Sequence, residues 1–303
     1  MSKLALCWFT RFENVLLKKD VGLFPIYLKK YFEEVFILYF TSKDDETIPQ
    51  EYKGCKFICI DGGGISEKMT SPLKDIFLAN KFCSYFKHHK DISHILVFHW
   101  GLEHLYFASK IKKINPCCKI WMKLDSSIDG AERIIYELGV PSKTPFRKYL
   151  RKHIQNAGIK AVDLFSAETK IGVSFLKDKT SFSNKIFYIP NGYDDTLLFY
   201  ESREKPIYKK EKTIITVARL GTYQKNTELL LKILKEANLR DWNVKLIGSV
   251  EETFLPYLDS FFAKNPLLKE KIQIIGNISD EEQLLQEYQK ASVFIFTSRF
   301  DSF

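Results

Sequence analysis

Short apolar runs alternate with segments of helical period along the chain, and this alternation constrains the fold more than any other feature. In the first half, residues 4–9, 35–40, 56–60, 95–99, 119–124, 164–167 and 186–189 read as strands. Helical patterns lie between them at 22–32, 77–86, 102–111 and 145–157, with Pro25 placed in the first turn of its helix. The second half repeats the rhythm, with strands at 213–218, 244–248, 272–277 and 293–297. Its helices begin at Thr227 and after Ser279, where Ser279 and Glu282 have the spacing of a capping box. Parallel strands need a crossover, usually a helix, so the rhythm predicts an α/β fold with parallel sheets.

A chain of 303 residues exceeds a typical single domain, so two α/β domains are expected. Residues 194–212 hold Glu, Lys and a Pro with little apolar periodicity. The expected division is therefore 1–195, a linker at 196–212, and a second domain at 213–303. With 45% apolar residues the chain can build real cores, yet no run reaches the ~18 apolar residues of a membrane span. The amino terminus lacks the long apolar stretch and small-residue cleavage site of a secretory signal. The six Cys show no metal-ligand spacing, and Cys55 and Cys59 read as small buried residues flanking a strand. A formal charge of +9 favours anionic partners without choosing among nucleic acid, acidic membrane and phosphorylated substrate.

Two cations stand out. Arg219 follows the strand at 213–218, at the carboxyl end where open α/β sheets place ligands. Gly221 breaks the strand, Lys225 follows on the loop, and the next helix starts at Thr227. A bidentate guanidinium, a compact ammonium and a helix amino terminus together suit a diphosphate. Asp125 and His99 also end apolar strands. Asp125 suits orienting an acceptor hydroxyl or accepting its proton, and equally suits capping the next helix. His99, beside Trp100, suits a sugar contact or a structural role. Gly62-Gly63-Gly64 follows a strand but lacks the dinucleotide-binding spacing, so it reads as a loop. No strand ends in Asp-x-Asp, and Asp194-Asp195 belongs to the linker turn, so no metal site is expected.

The ordered set after residue 213 resembles the carboxyl-terminal domain of retaining GT-B glycosyltransferases of family 4. The resemblance rests on the strand ending at Arg219, on Lys225, on the later Gly276-Asn277 turn, and on Ser298-Arg299-Phe300-Asp301-Ser302-Phe303. Pro190-Asn191-Gly192 resembles that family's interdomain boundary, and Gly22 its first strand-to-helix loop. The resemblance implies two Rossmann-like domains and transfer of a sugar from a nucleotide-sugar to a glycan or lipid-linked acceptor. It also implies retention of configuration, no metal and no cofactor, in a setting of surface polysaccharide assembly. Arg219, Lys225, Gly22, Asn277, Ser298 and Ser302 then belong to the donor, and Asp125 and Asp301 to catalysis. His99 and Asn191 belong near the acceptor or transferred sugar. Leu124 stands where the family commonly has His, which weakens the catalytic expectation for Asp125.

The family's second acid lies eight residues beyond the position of Asp301, past Phe303. The second domain is therefore expected to be incomplete, with an exposed sheet edge and little activity in this form. A catalytically inactive GT-B module is one rival reading. A basic nucleic-acid-binding protein is another, although zinc spacing, an RNA-recognition signature and a helix-turn-helix reader are missing.

Residues 143–160 contain no acid. Thr144 and Pro145 start a helix whose apolar stripe runs Phe146, Tyr149, Leu150, His153, Ile154 and Ala157. Arg147, Lys148, Arg151 and Lys152 lie opposite, as a solvated face or as an electrostatic contact with anionic lipid. The helix is expected to pack through Phe146, Leu150 and Ile154. The expected location is cytoplasmic, at the inner face of a membrane.

Overall fold

The computed structural model describes residues 2–40, 47–61, 73–124, 128–139, 144–192 and 209–300. They fall into two compact units, one within Met1–Asp194 and one within Asp195–Asp301.

The first unit is an eight-stranded sheet in the order β3-β4-β2-β1-β5-β6-β7-β8. Its strands are β1 (Lys3–Arg11), β2 (Glu34–Phe40), β3 (Glu51–Tyr52), β4 (Cys55–Ile60), β5 (Ile92–Phe98), β6 (Lys119–Leu124), β7 (Leu164–Ala167) and β8 (Ile186–Tyr188). All neighbours run parallel except β3, which pairs antiparallel with β4. The helices are α1 (Asp20–Leu28), α2 (Leu73–His88), α3 (Leu102–Ile114), α4 (Ile128–Gly139), α5 (Pro145–Ala161) and α6 (Lys170–Lys179). The central strands are buried on both faces, as helix-covered parallel strands must be. One core packs Ala5, Cys7, Val97, Ile120 and Met122 with Phe82 and Phe107. The other packs Leu4, Leu6, Ile37 and Leu96 with Val21 and Phe98.

The second unit is a four-stranded parallel sheet, β11-β10-β9-β12. It comprises β9 (Glu211–Val217), β10 (Asn243–Ile247), β11 (Ile272–Gly276) and β12 (Ala291–Phe294). Its helices are α7 (Thr227–Glu236), α8 (Leu255–Lys264), α9 (Pro266–Lys271) and α10 (Glu281–Lys290). Leu230, Leu231 and Leu234 of α7 and Leu258 and Phe261 of α8 pack on Val244 and Leu246. Gly248 follows β10 at φ 134°, and a Cβ there would lie 1.8 Å from the Ala218 carbonyl oxygen. Only glycine lets the ends of β9 and β10 approach so closely.

Several expectations need correction. Pro25 lies inside α1 rather than in its first turn, because the helix begins at Asp20. The cap of α10 is Asp280, whose Oδ1 accepts from the Gln283 N–H at 3.0 Å. Ser279 instead accepts from the Asn277 amide at 3.1 Å, one residue too early to cap. Cys55 is buried but Cys59 is exposed. The short β3 covers only the start of β4, pairing with Cys55 and Lys56, and leaves Cys59 at the margin of the sheet. Phe146 is 72% exposed, as is Tyr149, so neither packs as expected. Helices α4, α6, α8 and α9 were absent from the sequence reading. In α4 the Asp129-Gly130 pair looks like a turn, yet Ala131 and Ile134 are buried from the same face.

Candidate functional site

Strand order locates the crevices. In the second sheet the chain steps outward from β9 to β10 to β11, then returns to place β12 on the other side of β9. Loops leaving adjacent strands at such a reversal diverge and open a ligand crevice at their carboxyl ends. The loops in question are residues 218–226 after β9 and 295–300 after β12.

These loops are laced together. Arg219, exposed, donates from Nη2 to Gln224 Oε1 at 3.1 Å. The Gln224 amide donates to the Phe300 carbonyl at 3.2 Å, and the Arg299 N–H donates to the Gln224 carbonyl at 2.8 Å. Thr297 Oγ1 donates to the carbonyls of Lys225 and Asn226, both at 3.3 Å. The Lys225 ammonium sits 4.7 Å from the Phe296 ring centroid. Asn226 has a left-handed backbone, φ 51°, and turns the chain into α7. Ser298 Oγ is buried without a hydrogen-bond partner, a polar atom that a ligand can satisfy. Arg219, Lys225 and Ser298 thus come to one crevice. Asn277 is exposed after β11, two strands from β9. Asp301 and Ser302 lie outside the described residues.

The first sheet reverses between β1 and β5. His99 stands just past β5 with φ 69°, a strained setting for a residue with a side chain. Its N–H donates to the Lys123 carbonyl at 2.8 Å, and its ring lies 5.2 Å from that of Trp8. A cavity of about 340 Å³ opens beside it, lined by Trp100, Leu124, Arg133, Ile134 and Glu137. Trp100 is braced against Phe182, with centroids 5.9 Å apart. Arg133 and Glu137 form a 3.0 Å ion pair one helical turn apart. A second cavity, about 320 Å³ and mainly apolar, runs along α1 past Leu23, Phe24, Tyr27 and Tyr31 to Gly192. Asn191, next to Gly192, has a buried Oδ1 without a partner. Gly22 is buried, and a Cβ there would lie 2.5 Å from the Leu17 Cα, so it serves the packing of α1 on the preceding turn. Asp125 lies outside the described residues, as do Gly62, Gly63 and Gly64.

Two features escaped the sequence reading. Lys123, near the end of β6, has a side chain that is 0% exposed. Its ammonium bonds Asp20 at 3.0 Å and also Glu168, and lies 5.1 Å from the Phe98 ring centroid. This buried charge ties β6 to the amino end of α1. The other is the neighbouring pair Glu103 and His104 at the start of α3, whose Oε1 and Nδ1 lie 3.5 Å apart. Burial pushes the Glu103 carboxyl up to about 7 and the His104 imidazole down to about 3. Among the described residues no cluster of His, Cys, Asp and Glu could hold a metal ion.

Residues 200–303 match the family model for glycosyl transferases group 1. The matched stretch falls on the second unit. Curated protein sequences gave no significant match. Among solved structures, the lipopolysaccharide outer core galactosyltransferase WaaB superposes with a TM-score of 0.65 at 14% identity, covering 100% of this chain and 76% of that one. Anabaena HepE in complex with UDP gives 0.65 at 14% identity, covering 100% and 75%. A trehalose-6-phosphate synthase studied for glycosyl transfer with retention gives 0.62 at 13%, covering 99% and 79%. At these identities the likeness fixes the fold: two Rossmann-like units of the GT-B type.

Proposed function

We propose that this GT-B protein is a retaining, family 4 type glycosyltransferase that moves a sugar from a nucleoside-diphosphate donor to a glycan or lipid-linked acceptor. One observation carries the reading: the reversal of strand order in the second sheet brings the Arg219–Lys225 loop against residues 297–300. Departure of the nucleotide builds negative charge on its diphosphate. Arg219 and Lys225 stabilise that charge without a metal or cofactor, and preorganised donors are most effective when they need not move during reaction. HepE, of similar fold, was solved with UDP and with UDP-glucose, which favours a uridine nucleotide here too.

For the acceptor, the cavity at His99 suits a saccharide. It joins a braced indole wall to the Arg133–Glu137 pair, and its volume fits the range of small-molecule pockets, roughly 300–1,000 Å³. Surface polysaccharide assembly is the setting this chemistry favours. A membrane-facing, cytoplasmic location draws support from α5, where exposed Phe146 and Tyr149 stand among exposed Arg147, Lys148 and Lys152. Arg151 is half-buried and contributes less to that face. No helix among the described residues is long and apolar enough to cross a membrane.

Titration with UDP, followed by turnover assays with nucleotide-sugars, tests the assignment. Saturable UDP binding with sugar transfer is expected. Binding without transfer would favour the inactive-module reading. Failure to bind any nucleoside diphosphate, together with salt-sensitive binding of random DNA, would return the nucleic-acid reading.

A further inference from the structure

The second unit's crevice contains a third cation, Arg299, that bonds the loop carrying Arg219 and Lys225 at three points. Its backbone N–H donates to the Gln224 carbonyl at 2.8 Å. Its guanidinium donates from Nη2 to Asn226 Oδ1 at 3.1 Å. The same guanidinium covers the ring of Tyr223, with its Cζ 4.5 Å from the centroid. Tyr223 is 75% exposed, so little else in the second unit packs on it. Asn226 holds a left-handed backbone, which disfavours residues with side chains and must be fixed by its surroundings.

The geometry points to Arg299 as a positioning residue: it locks the turn at 222–226, and so sets where Arg219 and Lys225 stand and how the chain enters α7. The inference rests on the diphosphate reading of that loop. A planar guanidinium can stack on a ring while donating in its own plane, whereas an ammonium is a point charge without that fork. The hydroxyl of Thr297 reinforces the same lock through the Lys225 and Asn226 carbonyls. With Arg299 removed, the turn loses both its side-chain anchor at Asn226 and the plate over Tyr223. The cations then sample many positions, and the helix amino end ceases to be aimed.

The test compares UDP and uridine binding to the full chain by calorimetry, for wild type, Arg299→Ala, Arg299→Lys and Tyr223→Ala, alongside amide hydrogen exchange over residues 222–230. Arg299→Ala is expected to weaken UDP at least tenfold while uridine changes less than threefold. Exchange at 222–230 should quicken, with the far strands β10 and β11 unaffected. Arg299→Lys should fail to restore UDP affinity, and Tyr223→Ala should reproduce part of the loss. Combining Arg299→Ala with Lys225→Ala should cost little beyond Arg299→Ala alone, because a misplaced Lys225 is already lost. Unchanged exchange in Arg299→Ala would overturn the inference, whatever the nucleotide result. So would equal losses for UDP and uridine, or full rescue by Lys. A wild-type protein that binds no UDP, yet shows the exchange change, would sink the diphosphate reading and leave the lock standing.

Discussion

Individual side chains decide the chemistry, and five of them give direct tests. On the proposed diphosphate reading, Arg219 and Lys225 would each supply a charge-assisted contact, worth roughly 1.5–3 kcal/mol. Arg219→Ala or Lys225→Ala is therefore expected to weaken UDP about ten- to a hundredfold in a calorimetric titration, with the melting temperature held. Lys123 is a buried cation shared by Asp20 and Glu168. Removing one partner of such a group leaves a buried charge uncompensated and costs about 3–5 kcal/mol. Chemical denaturation of Lys123→Ala should show that loss in the first unit. A cost below about 1 kcal/mol would mean the cluster is better hydrated than its burial implies. Glu103 and His104 oppose each other in acid. Burial raises Glu103 from near 4.5 to about 7, so the folded state holds the extra proton and stability falls as pH rises through that window. Burial lowers His104 from near 6.5 to about 3, so the unfolded state holds the extra proton and stability falls as pH drops through that window. Glu103→Gln removes the first effect. It should steepen the loss of stability on acidification from pH 6.5 to 4.5, whereas His104→Phe should flatten or reverse it.

At the scale of elements, α5 combines two environments in one helix. Thr144 caps it, accepting from the Arg147 N–H at 3.3 Å, and Pro145 opens it. Its second half is buried through Ile154, Gln155, Gly158 and Ile159, while residues 144–149 are exposed. Ile154→Ala should therefore destabilise the fold by about 2–5 kcal/mol, and Phe146→Ala should hardly change it. If the exposed end meets anionic lipid, Arg147→Glu with Lys148→Glu should abolish flotation with acidic liposomes, and Phe146→Ser should weaken it. Flotation that ignores lipid charge would leave only a solvated basic face. The capping of α10 shows how finely such ends are set. Ser279 and Asp280 are both good caps by type, and the extended backbone at Asp280 puts its carboxylate, not the Ser279 hydroxyl, over the Gln283 N–H.

For the whole molecule, each unit has its own core, so each has its own stability. A ligand that binds only the second unit's crevice stabilises that unit by RT ln(1 + [L]/Kd), about 2.7 kcal/mol at a hundredfold excess over Kd. Saturating UDP should thus slow amide exchange across β9, β10 and α7 more than across β1, β5 and β6. Uniform protection of both units would show that the nucleotide couples them.

The sequence by itself determined the layer architecture. Apolar periodicity depends on which face of an element meets the core, and that is written locally, so β6 and β7 were legible to the residue. It also marked Arg219 and Lys225, because a cation just past a buried strand can only stand at the sheet's carboxyl end. The resemblance placed Ser298 with that loop, and the tertiary structure decided how residues 297–300 close on it, since they come from a strand about 70 residues later that the sheet inserts beside β9. It likewise decided that Lys123 is buried and that Phe146 is not. Nothing local distinguishes a lysine or a phenylalanine inside a core from one outside it. The neighbours that satisfy a charge or cover a ring arrive from distant segments, and their approach is fixed by sheet order rather than by sequence spacing.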